Sequence, residues 1–536
     1  MNLEIEWLKS RWELSDGATK ALMELFKAHE KGATACTVDF PVSDFGGAAS
    51  DPDQDASTPL LVVANAGASY LQTRWFFESE KQIAARLLEL NSAPTKPVPH
   101  EKLQKYFDQP GDQREAAELA LSRNLAVITG GPGTGKTYTL ARILAILLET
   151  EDLDPRYIQL AAPTGKAADR MREAVEQSSA KLSEDLREKL QAASSSSKTI
   201  HSLLGFHPGK NTCAFNADRR LPSKILIVDE CSMVDTLLWR ALLEALPDEC
   251  KLILLGDPNQ LESVGRGSVF SSIERSPSLH VARKHLKESH RFSTESAIGN
   301  FALSIGNEDV DGALKLLKAN TDVECPRGIF WNESSNIPGV FKSLPPLVRH
   351  ALKEAAFAES AEKSLEALGK IRILTAHRSS GRASVEEEIQ KLFPGRRIPN
   401  RPVIIDRNDP ETGLRNGEVG VVHISPAQSR TVVFEKRDKS KPAFSCPLSK
   451  LPDHSPAWAI TIHRSQGSEY DNVVVILPRK AESPLATREL LYTAITRAKK
   501  NLFVFGPEEV IRQAILCRSH RTTLMEWQLE RLSQKA

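Results

Sequence analysis

The chain is poor in cysteine: 7 of 536 residues, with no two in a C-x-x-C spacing. That argues against a zinc site or a disulfide framework and fits a reducing cytoplasm. An excess of one charge is also lacking, since 70 Lys+Arg against 69 Asp+Glu leave a net charge of +1. The chain as a whole is therefore not a basic nucleic-acid binder, and any such contact must come from local patches. No apolar run approaches the roughly 20 residues of a membrane span, so no membrane partner is expected. The opening MNLEIEWLKSRWEL is charged throughout and does not read as a signal peptide. An N-K-x-D base-reading motif is missing, which argues against a GTPase switch.

What is present points to a globular protein of several domains, with 40% hydrophobic and 26% charged residues. Its centre is Leu125–Leu148, an apolar run, a glycine-rich turn and an amphipathic helix. The turn Gly130-Gly131-Pro132-Gly133-Thr134-Gly135-Lys136-Thr137 is a P-loop. Glycines let backbone N–H groups curl round an anion, and the helix N-terminus adds its positive dipole end. Lys136 is expected to reach the outer phosphates of ATP, and the Thr137 hydroxyl to ligate Mg²⁺. Tyr138 completes the candidate nucleotide site.

Apolar runs and helices alternate beyond residue 108, the signature of a parallel α/β sheet. Candidate strands are Leu125–Thr129, Ile158–Ala162, Ile225–Asp229 and Leu252–Gly256. The third ends in Asp229-Glu230, where Asp229 suits a Mg²⁺ site and Glu230 suits activation of the attacking water. The fourth runs into Gly256-Asp257-Pro258-Asn259-Gln260; Gln260 can hydrogen-bond a γ-phosphate or water, although the segment alone could be a turn. Arg291 and Arg497 lie outside this unit. Cations delivered across a cleft stabilise phosphoryl transfer; either alone could instead be a surface ion pair.

A second α/β set has strands Ile371–Thr375, Val473–Leu477 and Leu502–Phe505, with helices near Val385–Phe393 and Glu489–Lys499. Residues 396–452 break into short β-like pieces, as in a small inserted β-barrel. Phe206–Leu221 reads as a hairpin insert, Ser194–Ser197 as a loop, and Asn320–Lys370 as mostly helical. Residues 1–35 read as amphipathic helix with Trp7, Trp12, Leu22, Leu25 and Phe26 as apolar points. Phe45–Pro59 reads as loop, and Leu71–Leu90 as a second helix whose Trp75, Phe76 and Phe77 suit a core or, less simply, a partner surface. The tail from Glu508 reads as helical with a solvated face.

Four strand-end groups suit a groove tracking a nucleic-acid strand: Pro163, Thr164 and Lys166; Thr199 and His201; His377 and Arg378; Thr461, His463 and Arg464. Hydroxyls, amides and cations at such places contact phosphates without base readout. Each group could also be only a helix cap or turn. The histidines are not spaced as a metal cluster.

In order, GGPGTGKT, APTGKAA, ILIVDECSMVD, LLGDPNQL, SHRF, HRSQGSE and LLYTAITRAKK resemble the motifs of superfamily 1 helicases. LLGDPNQLESVGRGSVF, NGEVG and RWFFESEKQIAARLL are similar to the RecD branch, the alpha chains of exodeoxyribonuclease V. Asp112-Gln113-Arg114 resembles the Q motif, which implies that Gln113 reads adenine. The resemblance further implies two RecA-like domains, 109–290 and 291–536, with a separation pin at 205–221 and an SH3-like barrel at 396–452. Residues 1–108 would be a mainly helical, partner-binding domain. It implies a 5′-to-3′ DNA helicase acting on single strands and duplex ends, in a heterotrimer with RecB and RecC homologues. No carboxylate–lysine nuclease constellation is evident, so exonuclease activity would belong to the assembly. A stand-alone RecD-like helicase remains an alternative, as does a P-loop scaffold without motor activity.

Overall fold

Leu125–Gly130 and Lys251–Gly256 are buried at every position. Apolar β runs with no solvent-facing side belong in the middle of a parallel sheet covered on both faces. The structure, a computed structural model, describes the chain except for residues 1–10, 12–13, 40–44, 46–48, 51, 53–57, 151–152, 180–181, 208, 211, 289–295, 320–327, 378, 410, 425–429, 436–442 and 536, and except for the side chains of 379–383. Trp7, Trp12, Arg291 and Arg378 therefore lie outside the described residues.

The N-terminal strands are β1 (Ala35–Val38), β2 (Ala49–Ser50), β3 (Leu60–Asn65) and β4 (Ala68–Thr73), in the sheet order β1-β4-β3-β2. This sheet was not foreseen in a region read as mainly helical. Of the stretch read as amphipathic helix, the described residues hold the helix Asp16–Glu30, capped by the Ser15 hydroxyl and closed at Gly32, where φ is +86°, before β1 begins at Ala35. Strand β2 lies inside the stretch read as loop.

The next strands are β5 (Leu125–Gly130), β6 (Ile158–Ala162), β7 (Lys198–Thr199), β8 (Phe206–His207), β9 (Thr212–Cys213), β10 (Ile225–Val228), β11 (Lys251–Gly256) and β12 (Arg283–Leu286). Six of them form a sheet in the order β12-β5-β11-β10-β6-β7, with every pairing parallel. Strands β8 and β9 form a separate antiparallel hairpin. The stretch Ser194–Ser197 differs from its reading as a loop, because the helix Glu184–Ser195 runs into it.

The period-2 alternation of these strands sorts their side chains onto two cores. Ala126, Ile128, Leu160, Ile227 and Ile253 pack with Leu140 and Leu144 of the helix Lys136–Thr150. Leu125, Val127, Leu226, Val228 and Leu254 pack with Ile83 and Leu87 of the helix Arg74–Ser92, with Trp239, and with Met525 and Leu529. Phe76 and Phe77 are buried, whereas Trp75 is 60% exposed and stacks under Arg240. The tail is corrected too: Met525, Gln528 and Leu529 of the helix Met525–Ser533 are buried, so its solvated face is only one side.

The contacts divide the chain into two units. One comprises Met1–Pro258, Glu262–Glu288 and His520–Ala536; the other comprises Asn259–Leu261 and Ser289–Ser519. The expected second domain at 291–536 therefore ends at Ser519, and takes in a tripeptide from upstream.

In the second unit the strands are β13 (Ile329–Asn332), β14 (Ile371–Thr375), β15 (Asn400–Ile405), β16 (Val419–Ile424), β17 (Arg430–Phe434), β18 (Ser445–Pro447), β19 (His454–Pro456), β20 (Ala459–Thr461), β21 (Tyr470–Ile476) and β22 (Ala498–Phe505). A second parallel sheet has the order β13-β22-β21-β14-β20, and an antiparallel one the order β18-β17-β16-β15-β19. The antiparallel sheet extends past residue 452 to Pro456. The helix expected at Glu489–Lys499 is Arg488–Ile495, because Ala498 and Lys499 already belong to β22. Strand β13 interrupts the stretch read as mostly helical. The fold is thus α/β, with two parallel sheets of the P-loop type and small β insertions.

Candidate functional site

Strand β5 delivers the chain into a turn whose Gly133 and Gly135 have φ of +78° and +81°, the left-handed region that side chains rarely adopt. Gly130 is required for a different reason. A Cβ there would lie 2.6 Å from Thr134 Oγ1 and 3.0 Å from the Leu286 carbonyl. The turn closes on itself, with the Thr134 hydroxyl donating to the Gly131 carbonyl at 2.9 Å. Lys136 Nζ donates to the Gly130 and Gly131 carbonyls at 2.6 and 3.1 Å. Lys136 and Thr137 open the helix Lys136–Thr150, so the positive end of its dipole faces the turn. Gln113 Nε2 donates to the Thr134 carbonyl at 3.2 Å, which joins the helix Asp112–Ser122 to the loop. Tyr138 is exposed, and its ring lies 3.4 Å from the Arg142 guanidinium carbon.

Asp229 and Glu230 follow β10, two strands from β5 in the same sheet. Glu230 has φ +53°, a left-handed conformation for a non-glycine residue. Such strain persists only where the surroundings enforce it. Its N–H donates to Asp229 Oδ1 at 2.7 Å. Burial, then repulsion by Glu230, pushes the Asp229 carboxyl up to about 6, while the Lys136 ammonium draws it down. Asp229 keeps some surface open to solvent even so. Two crowded carboxylates are hard oxygen donors, a chemistry that fits a divalent cation such as Mg²⁺.

Gln260 is 4% exposed and lies in the tripeptide that belongs to the second unit. There the Leu261 N–H donates to Thr493 Oγ1 at 2.9 Å, and Gln466 Nε2 donates to the Leu261 carbonyl at 2.9 Å. Arg497 belongs to the same unit and is 3% exposed; its guanidinium donates to the Thr493 and Ser468 carbonyls at 3.0 and 3.2 Å. It is therefore a fixed, buried cation rather than a surface ion pair.

Strand pairing brings the polar groups together two by two. Ala162 faces Thr199 across β6 and β7, so Pro163-Thr164 and Thr199–His201 share one sheet end. Thr164 Oγ1 accepts from the Ala167 N–H at 3.2 Å and Thr199 Oγ1 from the Ser202 N–H at 3.1 Å, so both hydroxyls are helix caps. Lys166 follows in the helix Gly165–Ser179. His201 is exposed, with Phe206 against its ring at 5.3 Å. In the second unit Thr375 pairs with Thr461 across β14 and β20. His463 begins the turn that follows. Arg464 is held differently from a phosphate-binding cation: it forms an ion pair with Asp406 at 2.7 Å, neutralising part of its charge.

A cavity of about 530 Å³ opens at the carboxyl end of β14 and β21, lined by Thr375, His377, Ser335, Arg479, Lys480 and Ser483 among others. Carboxyl ends of parallel strands are where such sheets bind ligands. Arg479 and Lys480 were missed in the sequence, although LPRK directly follows a strand as the chosen groups do. His285 was missed as well; its Nδ1 lies 2.9 Å from Thr129 Oγ1, on a strand too polar to be noticed.

Residues 113–266 match the family model of an AAA domain, and residues 456–505 that of a UvrD-like helicase C-terminal domain. The RecBCD enzyme subunit RecD of Mycolicibacterium smegmatis is 38% identical over 476 residues, covering 85% of this chain and 81% of that protein. The subunit of the same name from Mycobacterium tuberculosis H37Rv is 36% identical over 495 residues, covering 89% and 82%. The Bacteroides Pif1 helicase in complex with ADP-AlF3 and ssDNA aligns with 82% of this chain and 98% of its own, at 18% identity and a TM-score of 0.40. Identity at this level, sustained across four fifths of each subunit, means that this chain belongs to the RecD family of RecBCD enzyme subunits.

Proposed function

We propose that the chain is an ATP-dependent DNA helicase of recombination and repair, moving 5′ to 3′ as one subunit of a RecBCD-like complex with RecB and RecC homologues. The observation that carries the reading is the P-loop turn at the end of β5 with the Asp229–Glu230 pair at the end of β10, two strands away in one parallel sheet. Gly130 to Thr137 would cradle the phosphates of ATP, with Gln113 and Tyr138 at the base. Thr137 and Asp229 would hold Mg²⁺, which neutralises phosphate charge when bound. Glu230 takes the proton of the attacking water, Gln260 orients that water, and Lys136, Arg291 and Arg497 stabilise the charge that develops.

Single-stranded DNA would meet the strand ends that carry Pro163, Thr164, Lys166, Thr199 and His201 in one unit, and those that carry His377, Thr461 and His463 in the other. Arg378 is proposed from its place in the sequence after His377, and Arg464 would contribute less because Asp406 pairs with it. Within each unit, the pairing of Ala162 with Thr199 or of Thr375 with Thr461 sets two of these groups at one sheet end, which supports such contacts.

Strand displacement on duplexes with a 5′ or a 3′ single-stranded tail tests both activity and direction. Opening of the 5′-tailed substrate alone is expected; opening of the 3′-tailed one instead would overturn the polarity. Lys136→Ala is expected to cut DNA-stimulated ATP turnover by at least about 10²–10³-fold, with the circular dichroism spectrum unchanged. Retained turnover in that variant would remove Lys136 from the site.

A further inference from the structure

The segment after Gln260 is held in an unusual way. The chain leaves the first unit after Pro258, runs through Asn259–Leu261 in the second, and returns at Glu262. On its return it forms a loop, Glu262–Gly267, and one side chain binds most of that loop. Arg521 Nη1 donates to the Gly265 and Gly267 carbonyls at 2.7 and 3.2 Å, and Nη2 donates to the Ser263 carbonyl at 2.6 Å. Its Nε lies 3.0 Å from Glu262 Oε2. A guanidinium is suited to this, because its donors are fixed in one plane and it stays charged when buried.

Arg521 is itself locked. It belongs to the strap that enters the first unit at His520, and the Thr522 carbonyl accepts from the Thr34 and Ala35 N–H groups at 3.0 and 3.2 Å. The Gly32 carbonyl accepts from the Gly267 N–H at 2.7 Å, and a Cβ on Gly32 would sit 2.7 Å from the Arg521 guanidinium carbon. The tripeptide carrying Gln260 is thus set at both ends in the first unit, by β11 upstream and by Arg521 downstream. Its last residue, Leu261, donates its N–H to the Thr493 hydroxyl, and the Thr493 carbonyl also accepts from Arg497.

We infer that Arg521 is a positioning residue for ATP hydrolysis, fixing the point at which the Gln260 tripeptide re-enters the first unit. The inference rests on the proposed role of Gln260. Arg521→Lys keeps the charge but cannot span three carbonyls and a carboxylate. Full-length chains carrying Arg521→Lys, Gln260→Ala or both are compared for DNA-stimulated ATP turnover, KM for ATP, single-strand affinity and thermal midpoint.

The expected result for Arg521→Lys is a kcat lowered about 10- to 100-fold, the scale of a small misplacement of a reacting group, with KM and DNA affinity unchanged. The double variant should be no slower than Gln260→Ala alone, because the two residues act as one unit. Unchanged kcat in Arg521→Lys, or losses that multiply in the double variant, would overturn the inference while leaving the role of Gln260 intact. A kcat loss matched by a rise in KM and a collapse of the thermal midpoint would also overturn it, as a structural role. Full kcat in Gln260→Ala would overturn both the inference and the reading beneath it.

Discussion

Glu80 is fully buried and yet accepts four hydrogen bonds: from the Thr34 and Thr523 hydroxyls at 2.6 Å each, from Gln72 Nε2 at 3.0 Å and from the Leu524 N–H at 3.1 Å. Burial pushes its carboxyl above the ordinary range, and these bonds offset the rise only in part. A carboxyl whose folded pKa is raised contributes most below its unfolded value near 4.5, and that contribution is lost as pH rises through the folded pKa. As pH rises above about 4.5, the parent chain should therefore lose more stability to urea than Glu80→Gln does. Equal pH dependence in the two would show that Glu80 titrates normally. The same scale explains Glu230: a strained backbone is kept where an acidic pair is displayed, in keeping with a functional position.

At the scale of elements, the C-terminal helix Met525–Ser533 completes the cover of one sheet face. Leu529 is fully buried in the cluster formed by Ile83, Leu87, Trp239 and β5. Leu529→Ala removes methyl groups from a packed site, and should lower the stability of the first unit by about 2–5 kcal/mol in urea unfolding. A change under about 0.5 kcal/mol, typical of exposed positions, would return the tail to the surface. The helix Arg74–Ser92 packs on the same face. Its aromatics divide accordingly: Phe76 and Phe77 point inward, while Trp75 stays out against Arg240.

At the scale of the whole molecule, a net charge of +1 means that DNA affinity must be local. The cavity beside His377 gathers Arg479 and Lys480 at the ends of the second sheet. If these cations meet phosphates, Arg479→Ala should weaken binding to single strands of every sequence alike. It should also lower the slope of log affinity against log salt by about 0.7, the share of one phosphate on a single strand. An unchanged slope, or a loss confined to one sequence, would move the DNA path elsewhere.

The P-loop, the acidic pair, the main strands of both parallel sheets and the family resemblance were legible in the residues, because each depends on local spacing. A glycine turn needs its glycines in order, and a buried strand needs an apolar run. Tertiary structure decided what depends on distant partners. The polar strand Arg283–Leu286 exists because β5 offers it an edge. Arg464 is paired with Asp406, 58 residues away along the chain. Arg521 meets its loop across 254 to 258 residues. No periodicity announces such pairings, since they form only when folding has brought the segments together.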